Sequence, residues 1–219
     1  MATTMKAYRG MGMEGGVARW YDRTTRKDLP EFRALAARIA ATILPAAEVL
    51  EVAPGPGFLS IELARRGLKV RAVDISKTFV DIARRNAATE GAAVQFELGN
   101  ASDLPIEDAS MDFVVCRAAF KNFTEPVKAL AEMRRVLRPG GTALIIDLRR
   151  DVSGAEINRY ADGLGVNLLN RLLIRFTFKT TLIRRAYMLE EMRCMTIKAG
   201  WMDPRIESSG LGFEAWLQK

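Results

Sequence analysis

Short apolar runs of strand length alternate along this chain with segments whose apolar residues recur at helical spacing. The runs that predict strands are 49–52, 68–73, 93–98, 111–116 and 142–147. The segments that predict helices are 14–23, 31–44, 58–66, 77–89 and 125–137, with Ser76 and Thr124 as the N-cap residues of the last two. Alternation at this spacing predicts an α/β fold with a doubly wound, mostly parallel sheet.

The pattern changes after Leu148. Two helix-like segments, 154–178 and 189–199, follow where one crossover helix would be enough. The runs 205–208 and 212–217 then read as a closing β-hairpin. We therefore interpret the chain as one domain, 1–219, with an N-terminal segment at 1–28 and an insert at 148–198.

Length and composition exclude several classes of protein. A chain of 219 residues suits one domain with a full core, and no apolar run is long enough to predict a transmembrane helix. No signal peptide is predicted, and Cys116 and Cys194 are too few for a disulfide framework, so a cytoplasmic location is expected. Because the chain has no histidine, imidazole catalysis and most zinc or iron sites are excluded, and no metal site is predicted.

The net charge of +7 has two interpretations. It could indicate an anionic partner such as nucleic acid or a membrane, or it could reflect a generally arginine-rich composition. We favour the second interpretation because no dense run of lysine and arginine is present, and we predict no nucleic-acid partner.

A glycine-bearing turn between the first strand and its helix carries the first functional signal. Gly55 and Gly57 have no Cβ, so the backbone can turn sharply there and approach a ligand closely. Backbone N–H groups in such a turn favour a ligand with negative charge or a carboxylate. Asp74 ends the second strand, where its carboxylate can accept hydrogen bonds from both hydroxyls of a ribose. Turn and acid together predict a ligand that contains a ribose.

The spacing of the turn distinguishes between two kinds of nucleotide site. The dinucleotide pattern Gly-x-Gly-x-x-Gly is met at no more than two of its three glycines. The pattern Glu/Asp-x-Gly-x-Gly-x-Gly is met by Glu51, Gly55 and Gly57, with Ala53 in place of the first glycine. The chain thereby resembles the class I S-adenosylmethionine (SAM)-dependent methyltransferases. The resemblance is most specific at 129–141 and covers 49–147 with the closing hairpin.

The resemblance implies a Rossmann-like sheet of seven strands that ends in an antiparallel pair, with SAM as the cofactor. It implies that Ile75 offers an apolar face to adenine. Asn100 stands where the family commonly has an aspartate, and its neutral amide oxygen should accept a weaker hydrogen bond. The residues expected to hold the cofactor are Tyr21, Glu51, Ala53, Gly55, Gly57, Asp74, Ile75, Asn100, Ala101 and Cys116, the last as a small buried side chain rather than a nucleophile.

The implied activity is metal-independent methyl transfer to a small, largely apolar or aromatic acceptor. The candidate acid or base groups are Lys121, Asp147 and Tyr187, because the family often has histidines near 121 and 122 and this chain has none there. Their structural interpretations are a solvated lysine, a strand-end carboxylate and a half-buried aromatic. An RNA or protein methyltransferase and a non-catalytic SAM-binding or partner-binding protein remain alternatives.

The two segments outside the resemblance each have more than one interpretation. The N-terminal segment could be a lid over the cofactor or a tail that packs one aromatic pair. The insert is both apolar and basic, so it could pack on the sheet as a crossover, contact a membrane peripherally, or cap the acceptor pocket. We favour the cap, with Phe176 and Tyr187 lining it, because the insert leaves the fifth strand at Asp147.

Overall fold

The computed structural model describes residues 8–9, 12–163 and 183–219. Its centre is a seven-stranded sheet with the order β3-β2-β1-β4-β5-β7-β6. Strands β1 to β5 run parallel, and β7 pairs antiparallel with both β5 and β6. The strands are β1 Glu48–Val52, β2 Lys69–Asp74, β3 Val94–Leu98, β4 Met111–Arg117, β5 Leu137–Leu148, β6 Arg205–Ser209 and β7 Gly212–Gln218.

Helices cover both faces of this sheet, as a doubly wound fold requires. The α-helices in the described residues are α1 Gly15–Thr25, α2 Leu29–Ala40, α3 Phe58–Ala64, α4 Lys77–Thr89, α5 Pro126–Val136, α6 Gly154–Gly163, α7 Ile183–Arg185 and α8 Leu189–Lys198. Helices α2 and α3 bury the side of β1 that carries Val49. Helices α5 and α8 contribute to the core on the opposite side, with Leu50. The central strands are covered on both faces, which explains their continuous apolar runs.

The strand order reverses between β1 and β4, and this point determines where a ligand can bind. Connections leave these two neighbouring strands in opposite directions, so their carboxyl ends border an open crevice. The glycine turn follows β1, and Cys116 with Arg117 ends β4. The residues singled out from the sequence therefore converge on one edge of the sheet.

The predicted boundaries differ most from the structure at three elements. Helix α5 begins at Pro126, with Glu125 rather than Thr124 at its N-cap, because proline is favoured in the first turn. Strand β5 begins at Leu137 rather than at the predicted 142, so it includes the Pro-Gly-Gly stretch. Its pairing with β4 shifts in register between Met111 and Phe113. Helix α2 ends at Ala40, ahead of the predicted 44. Ser76 does cap α4, since its side chain accepts a hydrogen bond from the Phe79 N–H.

The insert is described only in part. The predicted helix at 154–178 is present from Gly154 to Gly163, and the remainder, including Phe176, lies outside the described residues. The second predicted helix is α8, and the closing hairpin forms as β6 and β7. Within the described ranges, no helix combines the length and apolar character needed to cross a membrane.

The backbone of Gly57 packs closely against the core, and there is no room for a side chain at this position. Its φ is +81°, and a Cβ there would lie 2.8 Å from Phe96 Cζ and 2.9 Å from Ala83 Cβ. Gly67 has almost the same φ, +80°, but a Cβ there would meet nothing within 4 Å. The two glycines therefore share one backbone conformation and differ in the space around them.

We expect Gly57→Ala to lower the free energy of unfolding more than Gly67→Ala. The left-handed backbone should cost both variants roughly 1–2 kcal/mol. Overpacking against Phe96 and Ala83 should add about 1–3 kcal/mol at Gly57 alone. Denaturant unfolding of the two variants measures the difference, and equal losses would show that the turn is not packed against β3 and α4 as described.

Candidate active site

The turn after β1 has a left-handed backbone at three positions. The φ angles are +59° at Ala53, +54° at Gly55 and +81° at Gly57. Ala53 therefore keeps the backbone conformation that a glycine would adopt easily, at a cost of roughly 1–2 kcal/mol. Its N–H donates to the Val73 carbonyl at 2.8 Å, which joins the turn to the end of β2.

The Asp74 carboxylate connects the turn to the next helix. Its Oδ2 accepts from the Gly55 N–H at 3.0 Å and its Oδ1 from the Ser76 N–H at 2.8 Å. Burial raises the pKa of Asp74 to about 6, although both of these N–H donors favour the charged form. A carboxyl with this pKa is mostly ionised at neutral pH, in a place where water stabilises it poorly.

Helix α1 and the residues before it pack against the same corner. The Ser76 hydroxyl donates to the Met13 carbonyl at 2.7 Å, and the Gly15 N–H donates to Thr78 Oγ1 at 3.1 Å. The Tyr21 ring meets Phe79 edge-on with 5.8 Å between centroids. A Tyr21 ring carbon also lies 4.0 Å from where a Cβ on Gly55 would be. Tyr21 thus lies beside the turn, as expected for a residue that contacts the ligand.

A polar chain holds the outer side of the turn. The Asn86 amide donates to the Pro56 carbonyl at 2.9 Å, and Arg26 donates to the Asn86 amide oxygen at 2.7 Å. The guanidinium of Arg26 also lies over the Phe58 ring, 5.3 Å from its centroid. These contacts connect α4, the residue after α1 and the turn, and they were not predicted from the sequence.

Glu51 is buried inside the fold and paired with Ser60. The Ser60 hydroxyl donates to Glu51 Oε2, and burial raises the pKa of Glu51 to about 7 against this hydrogen bond and the nearby charge of Arg117. Ser60 was missed as a site residue, although its place in the first turn of α3 faces the carboxyl end of β1. A carboxyl near its pKa can hold or release a proton in the neutral range.

Ile75, Asn100 and Ala101 lie at the carboxyl ends of β2 and β3. Ile75 is 43% exposed although it is aliphatic, so it offers an open apolar surface directly after Asp74. The amide oxygen of Asn100 accepts from the Ser102 N–H at 3.0 Å, which shapes the loop and uses one of the two lone pairs of that oxygen. Ala101 packs partly against the core.

Cys116 differs from the other predicted cofactor residues. It is 0% exposed and belongs to the main core cluster, and burial raises the pKa of its thiol well above the ordinary range. Because no part of Cys116 is accessible, the structure gives its side chain no surface for a ligand. It fits the expected buried hydrophobe and not a cofactor contact.

Lys121 and Asp147 form a buried ion pair where β4 and β5 end. Lys121 Nζ donates to Asp147 Oδ1 and to the Ala118 carbonyl, each at 2.7 Å. The Lys121 backbone N–H reaches Asp147 Oδ2 at 2.8 Å, and the Leu148 N–H reaches Oδ1 at 2.7 Å. The interpretation of Lys121 as a solvated lysine was wrong, because only 7% of it is exposed. Three donors on one carboxylate join the two strand ends and occupy the oxygen atoms that a general base would need.

Tyr187 lies next to this pair and contacts the N-terminal segment. Its ring packs against Phe120 with 5.8 Å between centroids, and its hydroxyl accepts from Arg9 at 3.3 Å. Burial raises the pKa of the phenol. A raised pKa keeps the hydroxyl protonated at neutral pH, so Tyr187 can donate a hydrogen bond or pack against an acceptor but is a poor general base.

Tyr8 and Arg9 lie on the same side of the site as Tyr187, and neither was predicted as a site residue. Tyr8 forms a bridge with Phe123, and the Arg9 N–H donates to the Asn122 carbonyl at 2.7 Å. Burial raises the pKa of Tyr8, and the charges of Asp74 and Asp147 raise it further, so the phenol is in electrostatic range of both. No motif marks Tyr8 in the glycine-rich N-terminus, so no local pattern predicts its position.

Comparisons with known proteins identify the family to which the central part of the chain belongs. The "Methyltransferase domain" family matches residues 50–145, which include the turn, Asp74, Asn100 and the end of β4. A Deinococcus radiodurans protein named demethylmenaquinone methyltransferase is 41% identical over 108 residues, 48% of this chain and 45% of that protein. A Xanthomonas campestris pv. campestris protein named ubiquinone biosynthesis O-methyltransferase is 33% identical over 117 residues, 53% of this chain and 48% of that protein. The chain thus spans about half the length of these relatives.

A solved structure extends the likeness to nearly the whole chain. A Methanococcus maripaludis protein, provisionally described as an S-adenosyl-L-methionine-dependent methyltransferase, has a TM-score of 0.75 at 24% identity, over 96% of this chain and 95% of that one. At this identity the likeness shows the fold. Residues 50–145 form a class I SAM-dependent methyltransferase domain. The fold class implied by the sequence resemblance is confirmed by the seven-stranded sheet of the described residues. The enzyme class and the cofactor are confirmed for residues 50–145.

The residues of the methyltransferase domain fit a ribose and an adenine. A carboxylate offers about four lone-pair positions, and backbone N–H groups use two of those on Asp74. The remaining positions suffice for two ribose hydroxyls. Ile75 is exposed beside it, as an adenine face must be, and the amide oxygen of Asn100 keeps a second lone pair that can accept from the adenine amino group. These assignments of single residues are expectations that binding measurements can test.

We expect Asp74→Asn to weaken SAM binding at least about tenfold at neutral pH, because one hydrogen bond to a charged group contributes about 1.5–3 kcal/mol. In the parent protein, affinity should fall as the pH drops through about 6, where Asp74 takes up a proton. Asn has no such titration, so this pH dependence should be smaller in the variant. Calorimetric titration with SAM measures both effects.

Asp81→Asn is the matched control, because Asp81 lies on α4 and pairs with Lys77 at 3.0 Å outside the crevice. We expect it to bind SAM like the parent. An Asp74→Asn variant with parental affinity and parental pH dependence would show that this carboxylate does not hold the cofactor.

Proposed function

We propose that this protein binds SAM in the crevice between β1 and β4 and methylates a small aromatic acceptor of the quinol type without a metal ion. The observation that carries the proposal is that one family match includes the glycine turn, Asp74 and the end of β4, which border the crevice. SAM supplies, when bound, a methyl group that its sulfonium already activates.

The residues of the chain then have positioning as their main task. Asp74 and the turn would fix the ribose, and Ile75 and Tyr21 would enclose the adenine side. Holding the acceptor in line with the methyl group and excluding water can account for a large part of the rate. The groups near the acceptor side are an ion-paired aspartate and protonated tyrosines, and none of these is suited to act as a general base. The acceptor would therefore be a phenol that ionises by itself.

The relatives and the lining of the site both support the proposed acceptor class. Relatives named for demethylmenaquinone and ubiquinone biosynthesis support a hydroxylated aromatic ring. Tyr187, whose ring packs at a tilt against Phe120, supplies an aromatic surface beside the ends of β4 and β5. The polar groups at this surface are the Tyr187 hydroxyl and Arg9, which suit an acceptor oxygen. Whether carbon or oxygen receives the methyl depends on the orientation of the ring.

Turnover distinguishes this proposal from its rivals. The full chain would be incubated with SAM and a reduced short-chain naphthoquinol, a catechol or an RNA, each with and without a chelator. We expect S-adenosylhomocysteine to form with the naphthoquinol or the catechol and to be unaffected by the chelator. Binding of SAM without turnover on any acceptor would favour a non-catalytic SAM-binding protein. Turnover on RNA alone would favour the RNA methyltransferase.

Tyr187 offers a separate test of the acceptor side. We expect Tyr187→Ala to lower turnover at least about tenfold by removing the ring, while SAM affinity stays within a few-fold. Tyr187→Phe keeps the ring on Phe120 and should retain most of the activity and the parental pH profile. A loss as large in Tyr187→Phe as in Tyr187→Ala, together with a changed pH profile, would assign the hydroxyl a catalytic role.

A further inference from the structure

The exposed side of α1 is basic and carries a tryptophan. Ala18 is fully buried and Tyr21 is partly buried on the side that packs toward α4, whereas Arg19, Trp20 and Arg23 face outward. Trp20 is 58% exposed, which is unusual for the largest apolar side chain. Arg26 and Lys27 continue the exposed basic side just beyond the helix.

A groove along this side of α1 collects four arginines. It measures about 390 Å³ and lies between α1 and α4. Asp22 is the acid that lines it, and it already binds Arg26 and Asn86. In the described part of the chain, Arg19, Arg23 and Arg85 have no acidic partner within salt-bridge distance. The groove is lined by Gly16, Arg19, Asp22, Arg23, Arg26, Ile82, Arg85 and Asn86.

We propose that this side of α1 docks on an anionic lipid membrane. The arginines of the groove would bind lipid phosphates, and Trp20 would insert at the level of the headgroups. Tryptophan is favoured at this interface because its ring is apolar and its N–H is polar, and each basic side chain near an anionic surface adds attraction. The net charge of +7 has the sign that this requires.

The pattern of aromatic residues favours a membrane over nucleic acid. Single-stranded nucleic acid is usually held by several aromatic platforms on which successive bases stack. On the basic side of α1, Trp20 is the one exposed aromatic among the described residues. A single interfacial tryptophan among arginines is typical of peripheral membrane attachment. This surface is formed by α1 and α4 and not by residues of the insert, for which membrane contact was considered from the sequence.

The position of α1 gives the docking a functional consequence, which rests on the proposed function. The opposite side of the helix carries Tyr21, beside the glycine turn. Attachment through Trp20 would therefore bring the crevice close to the lipid surface, where an apolar quinol is concentrated.

The test uses the full chain and vesicles, without any acceptor. Binding would be measured by cosedimentation at physiological salt, with vesicles of phosphatidylcholine alone or mixed with phosphatidylglycerol. We expect binding to the mixed vesicles and quenching of tryptophan fluorescence by brominated lipid. Arg19→Gln with Arg23→Gln should weaken binding about fivefold for each charge removed. Trp20→Ala should weaken binding and abolish the quenching.

The control is Lys128→Gln with Lys198→Gln, which removes the same charge from exposed residues on α5 and α8, the helices of the opposite face. It should bind within about twofold of the parent protein. Unchanged SAM affinity in all variants would confirm that they are folded, so failure of docking is distinguishable from failure of methyl transfer. Absence of binding to the mixed vesicles, equal weakening by both charge pairs, or preferential binding of RNA would overturn the proposal.

Discussion

The hydrogen bonds of one buried carboxylate hold the candidate site together. Asp74 accepts from Gly55 after β1 and from Ser76 before α4, and Ser76 in turn binds Met13 ahead of α1. Hydrogen bonds that start at the Asp74 carboxylate therefore connect the glycine turn, the end of β2 and the segment ahead of α1. If this carboxylate were absent, the N–H groups of Gly55 and Ser76 would lose their acceptor, and the turn would lose one of the hydrogen bonds that connect it to the second strand.

Burial of the Asp74 carboxylate lowers the free energy of unfolding at neutral pH. The pKa of Asp74 is raised from 3.8 to about 6, so the folded state binds its proton more tightly than the unfolded state does. The free energy of unfolding therefore falls as the pH rises from the unfolded value toward 6, by about 1.4 kcal/mol per pH unit. Ala53 adds a strained backbone at the same place. Strain and buried charge are typical of sites that bind a ligand, since the ligand compensates for both.

The sequence predicted the fold and the position of the glycine turn well because both depend on local signals. Strand and helix periodicity, the glycines of the turn and the Ser76 cap each act over a few residues. The acceptor side depends on long-range contacts that leave no local pattern. Lys121 meets Asp147, 26 positions away, and Arg9 meets Tyr187, 178 positions away. The inaccessibility of Cys116 to a ligand was also not predictable from a local pattern, because a position at a strand end does not determine whether a side chain reaches the surface.

The most direct measurement is the pH titration of the Asp74 carboxyl by carbon NMR, with and without S-adenosylhomocysteine. In the free protein, the carboxyl should titrate near its pKa of about 6. Ribose hydroxyls that donate to the carboxylate favour its charged form, so the pKa should fall when the product is bound. A pKa that is unchanged or raised by the product would contradict the assignment of this carboxylate as the group that holds the cofactor.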